Sequence, residues 1–175
     1  MDRGRVISFA FLGLLPLAAA APAAAAPVTP DKNAAARVSI NRPATLRKLE
    51  DLNFGCLIVA GAGTAIVNPD TDAMTTTGGV TRTGANCPAY AALFEAVSPQ
   101  KGVVIVRIPK NPITVTRFGG TETMTVSNWT VSGNSNRTVA AQEPFAFAVG
   151  GTLYVGANQA DGLYTGTFAV DIQYP

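Results

Sequence analysis

Histidine is absent from all 175 residues. Without an imidazole there is no Ser-His-Asp triad, no Cys-His pair and no His-ligated zinc or copper, so the familiar hydrolase machineries are excluded. Charge is also scarce. Only 14% of residues are Asp, Glu, Lys or Arg, with 13 basic against 11 acidic groups. There is no acidic block and no basic stripe with interleaved aromatics of the kind that tracks a phosphate backbone, which argues against nucleic acid as a partner. No long stretch repeats its apolar residues at helical spacing, so the fold is expected to be built from strands.

What is present begins with a segment to be set aside. Arg3 and Arg5 precede an almost wholly apolar stretch, Val6 to Ala26, that ends in "AAAAPAAAAP". A basic start, an apolar run and small residues at the cleavage site read as a secretory signal over residues 1–25, cut after Ala25, with Ala20 the second choice. The expected localisation is the periplasm in transit and then the cell surface or an extracellular filament, with the membrane met only during export. Residues 26–33, proline-rich and polar, are expected to be a flexible leader. The two cysteines, Cys56 and Cys87, would meet an oxidising compartment, where a disulfide is the default.

The remainder, residues 34–175, reads as a single β-sandwich domain. Strands of period two recur at about ten-residue spacing with glycines between them. Ala34, Ala36, Val38 and Ile40 share one parity in an N-terminal strand over 34–46. "LIVAGAGTAIV" suggests two short runs about a turn at Gly61 to Gly63, and bends are expected at the pairs Gly78-Gly79, Gly119-Gly120 and Gly150-Gly151. "AYAALFEAV" is read as a strand, and the β-branched "GVVIVRIP" as a buried central one. "GLYTGTFAVDIQYP", Gly162 to Pro175, reads as one continuous strand with Tyr164, Phe168, Val170, Ile172 and Tyr174 on one parity.

No motif carries catalytic chemistry. Asn68, Asp70 and Asp72 in "NPDTD" offer oxygen ligands, but too few carboxylates follow to complete a calcium loop, so a turn is expected and no metal. The remaining carboxylates fall at expected turns or outward strand positions, and no pair stands out for glycoside chemistry. "NWT" at Asn128 and "NRT" at Asn136 match the glycosylation pattern, one short enough to arise by chance. Trp129 reads either as a surface aromatic or as a core residue after a bulge. The sequence implies no cofactor and no enzyme.

"LNFG" at 52–55, the glycine-paired segments and "GGTLYVGANQADGLYTGTFAVDIQY" at 150–174 resemble a group of bacterial secreted proteins, the domain of unknown function family 4402. That group is itself similar to the chaperone-usher pilins, whose chains end with a glycine fourteen residues from the terminus and a penultimate tyrosine. Gly162 and Tyr174 match those positions. The resemblance implies an all-β, antiparallel, immunoglobulin-like sandwich short of one strand. A groove at Gly162, Tyr164, Phe168, Val170, Ile172 and Tyr174 would then be completed by a donor strand. It implies a fimbria-like structural or adhesive subunit whose partners are other copies or related subunits, a periplasmic chaperone and an outer-membrane usher. Ala34, Ala36, Val38 and Ile40 are then either the donor strand or the domain's own first strand. The other reading is a self-complete secreted sandwich that binds carbohydrate or protein at the cell surface, with Trp129 and Tyr90 as contact aromatics.

Overall fold

The computed structural model describes residues 37–38, 43–84 and 86–175. Residues 1–25, the leader, Ala34, Ala36 and Ile40 lie outside them. The chain divides into Met1–Val38 and Ser39–Pro175. Of the first unit only residues 37 and 38 are described, both exposed and neither in a strand. All the strands below belong to the second.

The described residues contain no helix and eleven strands. The first four are β1 (Thr45–Glu50), β2 (Leu57–Val67), β3 (Met74–Arg82) and β4 (Ala92–Val97). β5 (Gly102–Arg107), β6 (Ile113–Arg117), β7 (Thr123–Val131) and β8 (Asn136–Val139) follow. The last three are β9 (Pro144–Val155), β10 (Tyr164–Thr165) and β11 (Asp171–Gln173). Every pairing is antiparallel. One sheet runs β1-β4-β9-β7-β6-β10, with β2 also on β9 and β3 on β2; the other runs β11-β5-β8. The expected all-β sandwich is therefore what forms.

β9 organises the larger sheet. Its first half, Pro144 to Val149, pairs with β4, and Gly151 to Val155 pair with β2. Because β7 takes Val149 to Tyr154 on the opposite edge, β4 and β2 share one edge of β9 in succession. Gly150 and Gly151 sit where one neighbour gives way to the other. The bend expected there does not occur; instead a Cβ on Gly150 would strike the Val67 carbonyl, so glycine serves a close backbone approach. Gly61 to Gly63 likewise lie inside the unbroken β2, at a bulge facing Gly78 of β3, rather than in a turn. Of the expected glycine turns, Gly119-Gly120 forms one, joining β6 to β7 with Gly119 at φ 73°.

The described residues form three buried clusters, the smallest of Val67, Ala89 and Ala91; the other two lie on the inner face of this sheet. The first joins Ala92, Phe94, Ala96, Phe147 and Val149 to Val106 of β5, with Ile172 of β11 packed against it. The sheets therefore meet face to face, at the roughly 10 Å separation usual for sandwiches. The second cluster, Ala65, Val80, Val126, Leu153 and Val155, has no member from β5, β8 or β11. The small sheet thus covers half of the large one.

Two sequence expectations change here. The N-terminal strand begins at Thr45 and continues to Glu50 on β4, whereas residues 43–44 are not strand. Thr45–Glu50 is the first strand among the described residues. The final segment is not one strand: β10 pairs with β6 in the large sheet and β11 with β5 in the small one. The chain crosses between sheets through residues 166–170.

Candidate functional site

The uncovered half of the sandwich is a groove of about 1240 Å³. Its floor is the inward parity of three strands: Ile113 and Val115 from β6, Met124 and Val126 from β7, Leu153 and Val155 from β9. Antiparallel strands with one apolar face put such residues on the same side by period two, and here no second sheet covers them. One wall holds Phe54, Leu57 and Val59; the other is the segment from Gln159 to Phe168. Cys56 and Cys87 form a disulfide with Cα atoms 5.4 Å apart. It fastens the first wall to the segment leading into β4.

Local geometry explains how the second wall is held. The Phe118 amide donates to the Leu163 carbonyl at 2.7 Å, and Tyr164 and Thr165 pair with Arg117 and Thr116. The Tyr164 hydroxyl donates to the Ala160 carbonyl and accepts from Gln159 Nε2, both at 2.7 Å. Gly162 has φ 148°, and a Cβ there would lie 3.0 Å from Arg117 Cγ. Both facts favour glycine at that position.

Of the residues singled out in sequence, Gly162, Tyr164 and Phe168 line the groove. Phe168 closes its inner end, with ring centroids 4.7 Å from Trp129 and 6.4 Å from Phe94. Val170 and Ile172 lie beyond that plug, packed against the first cluster. Tyr174 is 39% exposed, its hydroxyl 3.1 Å from the buried Ser98 Oγ. β11 pairs Asp171 with Arg107, Ile172 with Val106 and Gln173 with Ile105, and its outer edge has no strand partner among the described residues. Val38 is exposed.

The floor and the Phe54 wall were missed in sequence. Alternation over 113–117 and 123–127 marked inward residues, but nothing local showed that no second sheet would cover them. Trp129 took its second alternative: β7 shifts register between Ser127 and Thr130, Asn128 adopts φ 48°, and the indole turns toward both clusters. Its Nε1 donates to the Asn111 carbonyl at 3.2 Å. Tyr90 bridges to Asn53 and borders the groove. The Asn68 loop is a turn: Asp72 Oδ1 accepts from the Ala91 amide at 2.9 Å and Asp70 Oδ1 from the Gly133 amide at 3.0 Å.

Electrostatics contribute little at the groove. Lys48 pairs with Asp51 at its rim, and Arg117 with Glu122 at 3.4 Å beside the Gly119 turn. Away from the groove, burial holds the Arg137 guanidinium pKa below its ordinary value, against the raising influence of Asp70. That guanidinium sits 5.4 Å over Phe147 and donates to the carbonyls of Asn134, Ala146 and Ser132, a structural clamp. Among the described residues no three His, Cys, Asp or Glu side chains gather where a metal could bind. The site's chemistry is apolar burial along the groove and main-chain hydrogen bonding at the β11 edge.

A family model described as Domain of unknown function (DUF4402) matches residues 44–174. No curated protein and no solved structure matches the chain.

Proposed function

Since the chain belongs to the family described as Domain of unknown function (DUF4402), we propose, from its groove and its last strand, that it is a pilin-like structural or adhesive subunit of a fimbria-like surface filament. Copies assemble by β-strand complementation, each lending an extended segment to its neighbour. The observation that carries this reading is β11, a C-terminal edge strand with no outer partner among the described residues, continuous in sequence with the wall of an open apolar groove.

Strand order supports it. An immunoglobulin constant-type sandwich sets A-B-E-D against C-F-G. Here β1-β4-β9-β7 follows the first order, and β5 beside β11 the C-F pair, while no described strand takes the place of G. An edge left in this state invites another chain: main-chain bonds supply affinity and alternate side chains fill pockets. Behind the export signal read at residues 1–25, a periplasmic chaperone would occupy the groove before an outer-membrane usher directs exchange. In this reading Ala34, Ala36, Val38 and Ile40 are the donor positions, and Thr45–Glu50, the first described strand, stays paired with β4.

The test uses residues 26–175 together with a synthetic peptide spanning Ala34 to Arg42. The peptide is expected to bind, raise the unfolding temperature and dissolve self-association. A protein that stays monomeric, unfolds cooperatively and ignores the peptide would sink the proposal, leaving a self-complete module.

A further inference from the structure

Exposed large apolar side chains lie along and beside the groove: Ile58 and Leu163 line it, and Phe118 adjoins Leu163. Phe118 is 79% exposed, Leu163 66% and Ile58 56%. Scattered exposed apolar residues are ordinary, but a cluster at one mouth marks an interaction surface. Phe118 and Leu163 are tied to one another by a 2.7 Å backbone hydrogen bond.

Strand register fixes where this mouth lies. Thr45 is level with Val97 and, through it, with Pro144 at the start of β9. β7 and β6 run so that the Gly119 turn falls beyond Tyr154, at the finish of β9. Leu57 and Ile58 extend past Val155 at the same end, because Gly63 is already opposite Val155. The twelve residues of β9 separate the two ends by about 36 Å of strand. The groove floor uses Leu153 and Val155, so the groove belongs to the Gly119 end.

We infer that Phe118, Leu163 and Ile58 form the seat for the body of a second copy, specifically its Thr45 and Pro144 end. The inference rests on the strand-complementation reading above. Five residue steps separate Ile40 from Thr45, a tether of at most about 18 Å. When Val38 and Ile40 of one copy fill the groove of another, the donor's Thr45 end is therefore held at the groove's own end of the acceptor. The donor's Pro144 and Tyr174, both exposed, come with it, since Tyr174 meets Ser98 just after β4. Contact between opposite ends of identical chains is heterologous, which propagates as a filament rather than closing a dimer.

The experiment compares the wild-type chain with Phe118→Ser, a residue outside the groove lining, in two assays, binding of the Ala34–Arg42 peptide and self-association by sedimentation. The peptide should bind both proteins within twofold, while self-association of the variant falls at least tenfold. Unchanged association, or an equal loss in both assays, would overturn the seat. Failure of the peptide to bind wild type would instead refute strand complementation, and this inference with it. A second variant, Phe118→Cys/Pro144→Cys, is independent of surface polarity. The two sites are too distant to join within one copy, so oxidation should give a ladder of covalent multimers. Monomer alone would overturn the proposal.

Discussion

Phe168 shows what a single side chain does here. It separates the open groove from the filled core, touching Trp129 on one side and Phe94 on the other. Phe168→Ala should destabilise the domain by about 2 to 4 kcal/mol, because a large ring leaves a cavity between two clusters. Thr167→Ala, at an exposed neighbour, should stay within about 0.5 kcal/mol. Urea unfolding of the two variants gives the comparison, and equal losses would show that the ring is not a plug. The disulfide acts differently, through the unfolded chain. Cys56 and Cys87 are 31 residues apart in sequence, and closing a loop of that size is worth about 3 to 4 kcal/mol in the chain-entropy account. Cys56→Ser should lower stability by about that amount. Intact mass of the purified protein should be two hydrogens below the reduced value, and free thiols in that protein would contradict the pairing.

At the level of the element, the last segment depends on a crossing that its alternation concealed. Gly166 lies immediately after β10, and a Cβ there would come within 2.8 Å of both the Thr114 carbonyl and Val115 Cγ1. A larger residue pushes the segment off β6 and moves Phe168 with it. Gly166→Val should therefore weaken peptide binding in the groove more than it lowers global stability, since β11 remains anchored on β5 by three residue pairs. Titrating the Ala34–Arg42 peptide against this variant, alongside its thermal unfolding, measures both effects. Undiminished affinity would show that the crossing does not shape the groove.

For Ser39–Pro175 as a unit, the asymmetry of cover is the main feature. The first cluster is sealed by β5 and β11, while the second has no such lid. Local stability follows buried apolar contact. Amide exchange should accordingly be faster in β2, β6 and β7 than in β4 and β5, and adding the peptide should slow the first group selectively. Uniform protection before and after addition would mean that the groove is not the weak part of the domain. The same asymmetry accounts for the two-ended character of the unit. The groove and the apolar mouth sit at the Val155 end of β9, and the first strand begins at the Pro144 end.

Much of this was legible in the residues. Period-two alternation and glycine spacing are properties of local sequence, and they sufficed for an all-β antiparallel domain; the Cys56–Cys87 bond was expected from the two cysteines together with the export signal. Tyr164, Phe168, Val170 and Ile172 are half-buried on the parity read from the sequence, although Phe168 and Val170 lie in the crossing rather than in a strand and Tyr174, on the same parity, is exposed. Other features belonged to the tertiary structure. A glycine pair reads the same whether the chain turns, as at Gly119, or lets a neighbour's backbone pass close, as at Gly150 and Gly78. Alternation says which residues face inward but not whether another sheet covers them. The groove over Val126 and Leu153, the shift of the last segment from β6 to β5 and the grouping of Ile58, Phe118 and Leu163 at one mouth all depend on pairings between residues far apart in sequence. Those pairings form only when the whole chain packs.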